Sequence, residues 1–438
     1  MASRLLAAGL LLVSALLAWL AVTFTLAARL LQLTILLSMV YVTYLAWHGS
    51  RVMWSTFGAS RSGTGIATGN ARDLPWVTVV VPARDEAPVL GRLLVDLAQQ
   101  RYHAGQATRY DVVVVDDGSR DDTAAIARAA GVTVLQRPSA ALPRTKGAAL
   151  AHALPSVRGE VLAVLDADAR VEPDFLERTI RAWKEADPAA ASVQAQRRPD
   201  AERRGWLAGA QADEQLMDLA SQCGRWATDG TAELRGNGMF VRRDALERVG
   251  GWSPAALTED LELSTRLVAA GEHVAMAPAA VVREEAVGTL AALWRQRLRW
   301  AEGSLRRLME HGPGLLSGPL PLGRKLDFVA FIGEFVVPPL FVITVLTALI
   351  AMAVGQTADW TVPISVFAAY GVGTFVLALA GLGADGLRGV TLLGRAARGA
   401  LFLSHWLLVV PAALALIAFG PRTRTFAKTP RALIPPGR

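Results

Sequence analysis

A single cysteine, Cys223, occurs in the 438 residues. One thiol excludes an intramolecular disulfide and any cysteine-cluster metal site, and a lone cysteine is most often a small core residue. Lysine is nearly as scarce, with four (Lys146, Lys184, Lys325 and Lys428) among 45 basic residues. Charge itself is missing in places. Residues 1–47 carry only Arg4 and Arg29, residues 328–358 only Glu334, and residues 399–420 none. These gaps, with 52% hydrophobic residues and a mean hydropathy of +0.33, exclude a disordered chain and an ordinary soluble enzyme. The block between them, 48–326, has the composition of a water-soluble α/β protein, which argues against a pure multi-span transporter.

A bilayer core is crossed by about 20 apolar residues in a helix. Residues 5–26 and 30–47 each suffice, and they exceed the roughly 7–15 apolar residues of a cleaved signal peptide. Three more candidates follow at 328–353, 361–383 and 400–420. The connection 354–360 has one acid and no Lys or Arg, so it is expected outside. The connection 384–399 carries Arg388, Arg395 and Arg398, so it is expected inside. Five spans around a cytoplasmic block would leave the C-terminus outside. Yet the tail 421–438 holds five basic residues and no acid, which favours inside. The segment at Pro338-Pro339 or the last one, around Pro411, is therefore a candidate for an interfacial or re-entrant element. The net charge of +7 falls largely on the flanks of the apolar blocks, and nothing in the pattern reads as a nucleic-acid interface. The heavy Ala, Arg and Gly usage fits a GC-rich bacterial genome.

Within the polar block, residues 77–82 form a β-branched run ended by proline, which predicts a buried parallel strand. A helical pattern follows at 87–100. A second strand, 111–116, runs into Asp117-Gly118-Ser119. A helix at about 121–130 and a strand at 132–136 come next. A fourth strand, 161–165, runs into Asp166-Ala167-Asp168. Alternating strands and helices predict a doubly wound sheet, whose ligands sit at the carboxyl ends of the strands. An acid after a strand is commonly a cap or turn residue. Two acid pairs, each following an apolar strand, weigh against that reading. Two carboxylates plus phosphate oxygens are the usual setting for Mg²⁺ or Mn²⁺. The polar block has no GxGxxG or GxxxxGK[ST] loop, which disfavours a dinucleotide enzyme or P-loop NTPase. A diphosphate held by a metal fits a nucleotide-sugar. Gln296, Arg299 and Trp300 stand at i, i+3 and i+4 and so share one helix face.

Five motifs occur in order: Pro82-Ala83-Arg84-Asp85-Glu86, Asp116-Asp117-Gly118-Ser119, Asp166-Ala167-Asp168, Thr258-Glu259-Asp260 and Gln296-Arg297-Leu298-Arg299-Trp300. Together they resemble the motif series of the membrane-embedded family 2 glycosyltransferases, which include cellulose, hyaluronan and poly-N-acetylglucosamine synthases. The resemblance covers roughly 76–310 and the flanking spans. The stretches 233–243 (Glu-Leu-Arg-Gly-Asn-Gly-Met-Phe-Val-Arg-Arg) and 299–304 (Arg-Trp-Ala-Glu-Gly-Ser) look closer to one branch, the bacterial β-monoglucosyldiacylglycerol synthases. Those enzymes move glucose from UDP-glucose to diacylglycerol. Processive cellulose synthases carry a Cys-Gly-Ser type motif where this chain has Gly236-Asn237-Gly238.

The resemblance implies an α/β fold of the GT-A nucleotide-sugar-binding type, a doubly wound mixed sheet flanked by transmembrane helices. It divides the chain into two N-terminal spans (1–50), a linker (51–75) and a cytoplasmic catalytic domain (76–310). Interface and C-terminal membrane helices (311–420) and the basic tail (421–438) follow. It also implies the roles. Pro82, Arg84, Glu86, Asp117, Lys146 and Asp166 would bind the nucleotide-sugar, with Asp117 accepting from the uracil N3–H. Asp168, supported by Asp166, would hold the metal. Asp260 would be the general base, with Glu259 beside it. Gly236, Asn237, Gln296, Arg299 and Trp300 would meet acceptor or pyrophosphate. The tail residues Phe426, Lys428, Thr429 and Arg431 resemble a gating loop that closes over UDP. Plainer readings stand beside these: Lys146 as a surface lysine, Gly236-Asn237-Gly238 as an ordinary turn, 290–310 as an amphipathic interface helix, and the tail as a segment binding anionic lipid.

The expectation is an inverting glycosyltransferase of a bacterial inner membrane. It would use a UDP-sugar, UDP-glucose foremost, with Mg²⁺ or Mn²⁺, to make a β-linked glycolipid on diacylglycerol or a related lipid. A processive polysaccharide synthase is the alternative. A non-catalytic scaffold is a third reading, opposed by Asp168, Asp260 and the Gln296–Trp300 motif.

Overall fold

The computed structural model describes residues 2–23, 25–61, 74–199, 205–357 and 360–420. The chain forms two compact units. One comprises Val52–Arg204 and Thr231–Ala286; the other comprises Met1–Arg51, Gly205–Gly230 and Val287–Arg438.

The first is an α/β unit. Its strands are β1 (Val77–Ala83), a small hairpin of β2 (His103–Ala104) and β3 (Ala107–Thr108), β4 (Tyr110–Asp116), β5 (Thr133–Gln136), β6 (Val161–Val164), β7 (Arg170–Val171), β8 (Ser192–Pro199), β9 (Met239–Arg242) and β10 (Val274–Glu284). Eight of them form one sheet in the order β5-β4-β1-β6-β9-β8-β10-β7. β5, β4, β1 and β6 are parallel. β9 runs antiparallel to β6 and β8, and β7 antiparallel to β10. The strands expected at 77–82, 111–116, 132–136 and 161–165 are present within a residue or so. Val77, Val79, Val80 and Val81 are fully buried, as a parallel strand covered on both faces requires. The helix Ala87–Ala98 covers the sheet with Val89, Leu90, Leu93, Leu94 and Leu97, and it has proline in its first turn, where the missing N–H costs nothing. The chain winds outward from β1 to β4 and β5, then returns to β6 on the other side of β1. Open α/β sheets bind ligands beside such a reversal, at the carboxyl ends of the strands, and the acidic motifs follow β1, β4 and β6 at those ends.

β10 holds one irregularity. Its register against β8 shifts between Ala277 and Val281, around Pro278, which cannot donate to the ladder. Beyond the shift, Val282 faces Arg197 and Glu284 faces Pro199.

The second unit is helical. Among the described residues, four helical segments are long and apolar enough to cross a membrane: Gln32–Gly58, Leu322–Ala353, Thr361–Ala384 and Gly389–Phe419. The N-terminal helix Ala2–Thr23 carries the apolar stretch Ser3–Leu17. The last segment comes in two pieces, Gly389–Leu403 and Trp406–Phe419. The helix Thr25–Arg61 continues into the expected linker, whose residues 62–73 lie outside the described ones. Pro338 and Pro339 lie inside the helix Leu322–Ala353.

The polar helix Trp206–Ala227 sits among these apolar ones. A Cβ on Gly49 would lie 1.8 Å from the Ala220 carbonyl oxygen, and one on Gly224 would lie 2.3 Å from that of Leu45. Glycine at both positions lets the two backbones touch, the small-residue packing common between membrane helices. Asp213 on the same helix is fully buried and accepts from Arg395 and Arg398. Its neighbour Glu214 pairs with Arg297, which is 3% exposed. Removing one partner of a buried pair strands the other charge. Glu214→Ala is therefore expected to cost about 3–5 kcal/mol, read as a lower thermal midpoint of the purified protein in detergent.

Candidate active site

The first two motifs form adjoining turns at the ends of β1 and β4. The Asp85 N–H donates to Ser119 Oγ at 3.0 Å, and the Arg120 N–H to Asp85 Oδ1 at 2.8 Å. The Glu86 N–H donates to Thr123 Oγ1 at 2.8 Å. Asp85 has a φ of 52°, the left-handed conformation that Asp tolerates better than most residues. Arg84 is half-buried at the rim, and Glu86 is buried.

Asp117 lies at the end of β4, its N–H donating to the Ala83 carbonyl at 2.9 Å. Its carboxylate is buried against Arg137, which also donates to the Pro143 carbonyl at 3.1 Å. Burial pushes the Asp117 carboxyl up, while Arg137, Arg84 and Arg144 pull it down. Arg137 is a site residue that motif reading missed. Its only sequence signal is its place directly after β5.

The third and fourth motifs meet through Lys146. Its ammonium donates to Asp166 Oδ1 at 2.6 Å and to the Gly236 carbonyl at 3.0 Å, and stands 3.4 Å from Glu259 Oε1. Burial works against that charge, but Asp166 and Glu259 push its pKa up. Lys146 is thus an integral ion-pair partner and not a free surface lysine. Thr145 caps its helix by accepting from the Ala148 N–H. A Cβ on Gly147 would lie 2.5 Å from the Ser253 carbonyl oxygen and 3.2 Å from Glu259 Cβ. Glycine there admits the approach of the Thr258–Asp260 segment.

Glu259 and Asp260 occupy the first turn of the helix Glu259–Ala269, where the helix dipole favours anions. Glu259 is buried, and burial pushes its carboxyl up to about 7; Lys146 opposes the shift, and Asp260 and Asp166 add to it. Asp260 is half-buried, and a Cβ on Gly236 would lie 3.0 Å from its Oδ2. Gly236 also has a φ of +76°, so both conformation and space require glycine.

Asp168 lies two residues past Asp166, half-buried in the turn between β6 and β7. Asp96 steadies that turn by accepting from Arg170 Nε at 2.6 Å and the Val171 N–H at 3.2 Å. Among the described residues, no group of three His, Cys, Asp or Glu side chains could hold a metal. Two hard carboxylate donors suit Mg²⁺ or Mn²⁺ when substrate oxygens complete the coordination.

Asn237 departs from the expected acceptor contact. It is 1% exposed. Its Oδ1 accepts from the Asp166 N–H at 3.1 Å, and its Nδ2 donates to Glu284 at 3.1 Å. A carboxamide carries one acceptor and one donor group, and here both serve protein partners.

Gln296, Arg299 and Trp300 belong to the helical unit, on the helix Leu290–Ser317, and all three are half-buried. Arg297, inside the motif but unassigned from sequence, organises two of them. It donates to Gln296 Oε1 at 3.1 Å, and its guanidinium lies 4.1 Å from the Trp300 ring centre. Phe426, Lys428, Thr429 and Arg431 lie outside the described residues.

The mixed sheet, with two carboxylates after β6 and the first of them joined through a lysine to a further carboxylate, is that of a GT-A fold. The chain belongs to glycosyltransferase family 2, whose model, described as "Glycosyltransferase like family 2", matches residues 75–303. It is 32% identical over 376 residues to the beta-monoglucosyldiacylglycerol synthase of Trichormus variabilis, covering 81% of this chain and 76% of that one. It is 30% identical over 407 residues to the Synechocystis enzyme of the same name, covering 88% and 84%. In fold it is similar to a mannosyltransferase from Pyrobaculum calidifontis solved with GDP-Man and Mn²⁺. The TM-score is 0.52 at 20% identity, covering 88% of this chain and 98% of that one.

Proposed function

We propose that this protein transfers glucose from UDP-glucose to a lipid hydroxyl, diacylglycerol foremost, with inversion to a β-linked glycolipid. The reaction would take place at the cytoplasmic face of a bacterial inner membrane. The observation that carries the reading is the linkage of Asp166 and Glu259-Asp260 through Lys146. Lys146 pairs with Asp166 and stands 3.4 Å from Glu259, the neighbour of the candidate base Asp260, which supports reading the two motifs as parts of one site. The similarity to two glycolipid synthases over most of the chain supports the acceptor.

In this reading, Asp117 accepts from the uracil N3–H and Arg137 holds that carboxylate in place. Lys146 supplies positive charge beside the diphosphate. Asp166 and Asp168 would hold Mg²⁺ or Mn²⁺, which neutralises charge building on the departing diphosphate. The acceptor oxygen attacks the anomeric carbon from the face opposite the C1–O bond that breaks. Asp260 takes the acceptor proton as the new bond forms. Trp300 offers a stacking surface and Arg299 a partner for phosphate.

The test uses membranes containing the protein, radiolabelled UDP-glucose, diacylglycerol and Mg²⁺ or Mn²⁺, followed by chloroform–methanol partition. Label in the organic phase is the expected result. Label in a high-mass product would assign polymer synthesis instead and overturn the lipid acceptor.

A further inference from the structure

Three residues behind the acid pair, the buried Asn237 and the half-buried Arg197 and Glu284, form a chain of polar contacts. Arg197 on β8 and Glu284 on β10 are joined by two hydrogen bonds, of 3.0 and 2.6 Å. They are diagonal neighbours on one sheet face, because Val282, two residues before Glu284, is the register partner of Arg197. Glu284 Oε2 also accepts from Asn237 Nδ2 at 3.1 Å, and Asn237 Oδ1 accepts from the Asp166 N–H at 3.1 Å. Gln194 pins the Asn237 backbone, donating to its carbonyl at 2.8 Å while accepting from the Arg235 N–H at 2.7 Å. The register shift at Pro278 is part of this arrangement, because it sets which β10 residue lies beside Arg197.

We infer that Asn237, Glu284 and Arg197 are positioning residues for the metal-binding turn, fixing the Asp166 backbone and so the spacing of the Asp166 and Asp168 carboxylates. None of the three touches substrate in this role. Each acts through Asp166, as outer partners orient the ligands of a metal site. The inference rests on the reading of Asp166 and Asp168 as metal ligands.

The polarity of the relay makes it testable. In Asn237→Asp, one oxygen still accepts from the Asp166 N–H, but the other meets the Glu284 carboxylate. Adding Glu284→Gln replaces that repulsion with an amide-to-carboxylate hydrogen bond of reversed direction at unchanged total charge. Mn²⁺ binding to the full-length protein in detergent with saturating UDP, followed by electron paramagnetic resonance of free Mn²⁺, reads the effect without turnover. Asn237→Asp is expected to weaken Mn²⁺ binding about 10–100-fold, and the double variant to recover most of the loss. A folded Asn237→Asp protein with wild-type affinity, or a double variant no better than Asn237→Asp, would overturn the relay. Should Asn237→Asp not fold, Asn237→Ala removes the acceptor of the Asp166 N–H without adding charge; weaker Mn²⁺ binding by a folded Asn237→Ala protein supports the relay, and wild-type affinity sinks it. Wild-type protein that binds no Mn²⁺ with UDP would instead overturn the metal-ligand reading itself.

Discussion

Asp260→Asn is expected to lower turnover about 10²–10⁴-fold, the range of a lost general base, with the protein folded and its KM for UDP-glucose little changed. Two carboxylates compete for that role. Glu259 is buried and stands 3.4 Å from the Lys146 ammonium. Its carboxylate is engaged with that ammonium inside the protein. Asp260 is half-buried, and its Oδ2 stands over Gly236, whose missing side chain leaves room for it and for the Lys146 ammonium. Asparagine keeps the side chain's shape but exchanges one acceptor oxygen for an NH₂ donor and cannot take a proton. Initial rates at saturating UDP-glucose and diacylglycerol measure the loss. A fully active Asp260→Asn beside an inactive Glu259→Gln would transfer the base to Glu259.

Asp168→Ala is expected to cost about 10²–10³-fold in kcat/KM, since a metal's charge stabilisation is worth several kcal/mol and each 1.36 kcal/mol is tenfold in rate. Lys146 is bonded to Asp166 at 2.6 Å, so Asp166 already shares its charge with a cation. The DxD motif makes Asp168 the principal metal ligand of the proposed site, so its loss is expected to weigh most on metal binding. Rates measured across a Mn²⁺ titration separate the cases. Full rescue at high Mn²⁺ would make Asp168 an affinity aid only; a persistent deficit is the expected outcome.

Much of the α/β unit was legible in the sequence, because its signals are local. β1, β4 and β6 are short β-branched runs buried on both faces, and their acids follow directly in the chain. The spacing of Gln296, Arg299 and Trp300 marks one helix face whatever that helix packs against. The apolar blocks announce themselves by length and missing charge, although the run at 400–420 proved to be only the second piece of a longer helical segment. The glycines on either side of Asn237 gave no sign that its side chain is buried and bonded to Asp166 and Glu284. Which way its side chain points depends on β9 lying between β6 and β8.

The sequence by itself determined the family, the order of the motifs and the presence of membrane-length apolar helices. Those depend on residue types at short spacing. Only the tertiary structure decided the partnerships. Lys146 joins Asp166, 20 residues away, to Gly236, 90 residues away. Arg137 backs Asp117, Arg297 ties Gln296 and Trp300 to Glu214, and Asn237 bridges Asp166 and Glu284. A lysine, arginine or asparagine carries no periodic signal of its partner. Its partner is set by strand order and register, where β9 enters antiparallel and Pro278 shifts β10, and these are properties of the whole sheet.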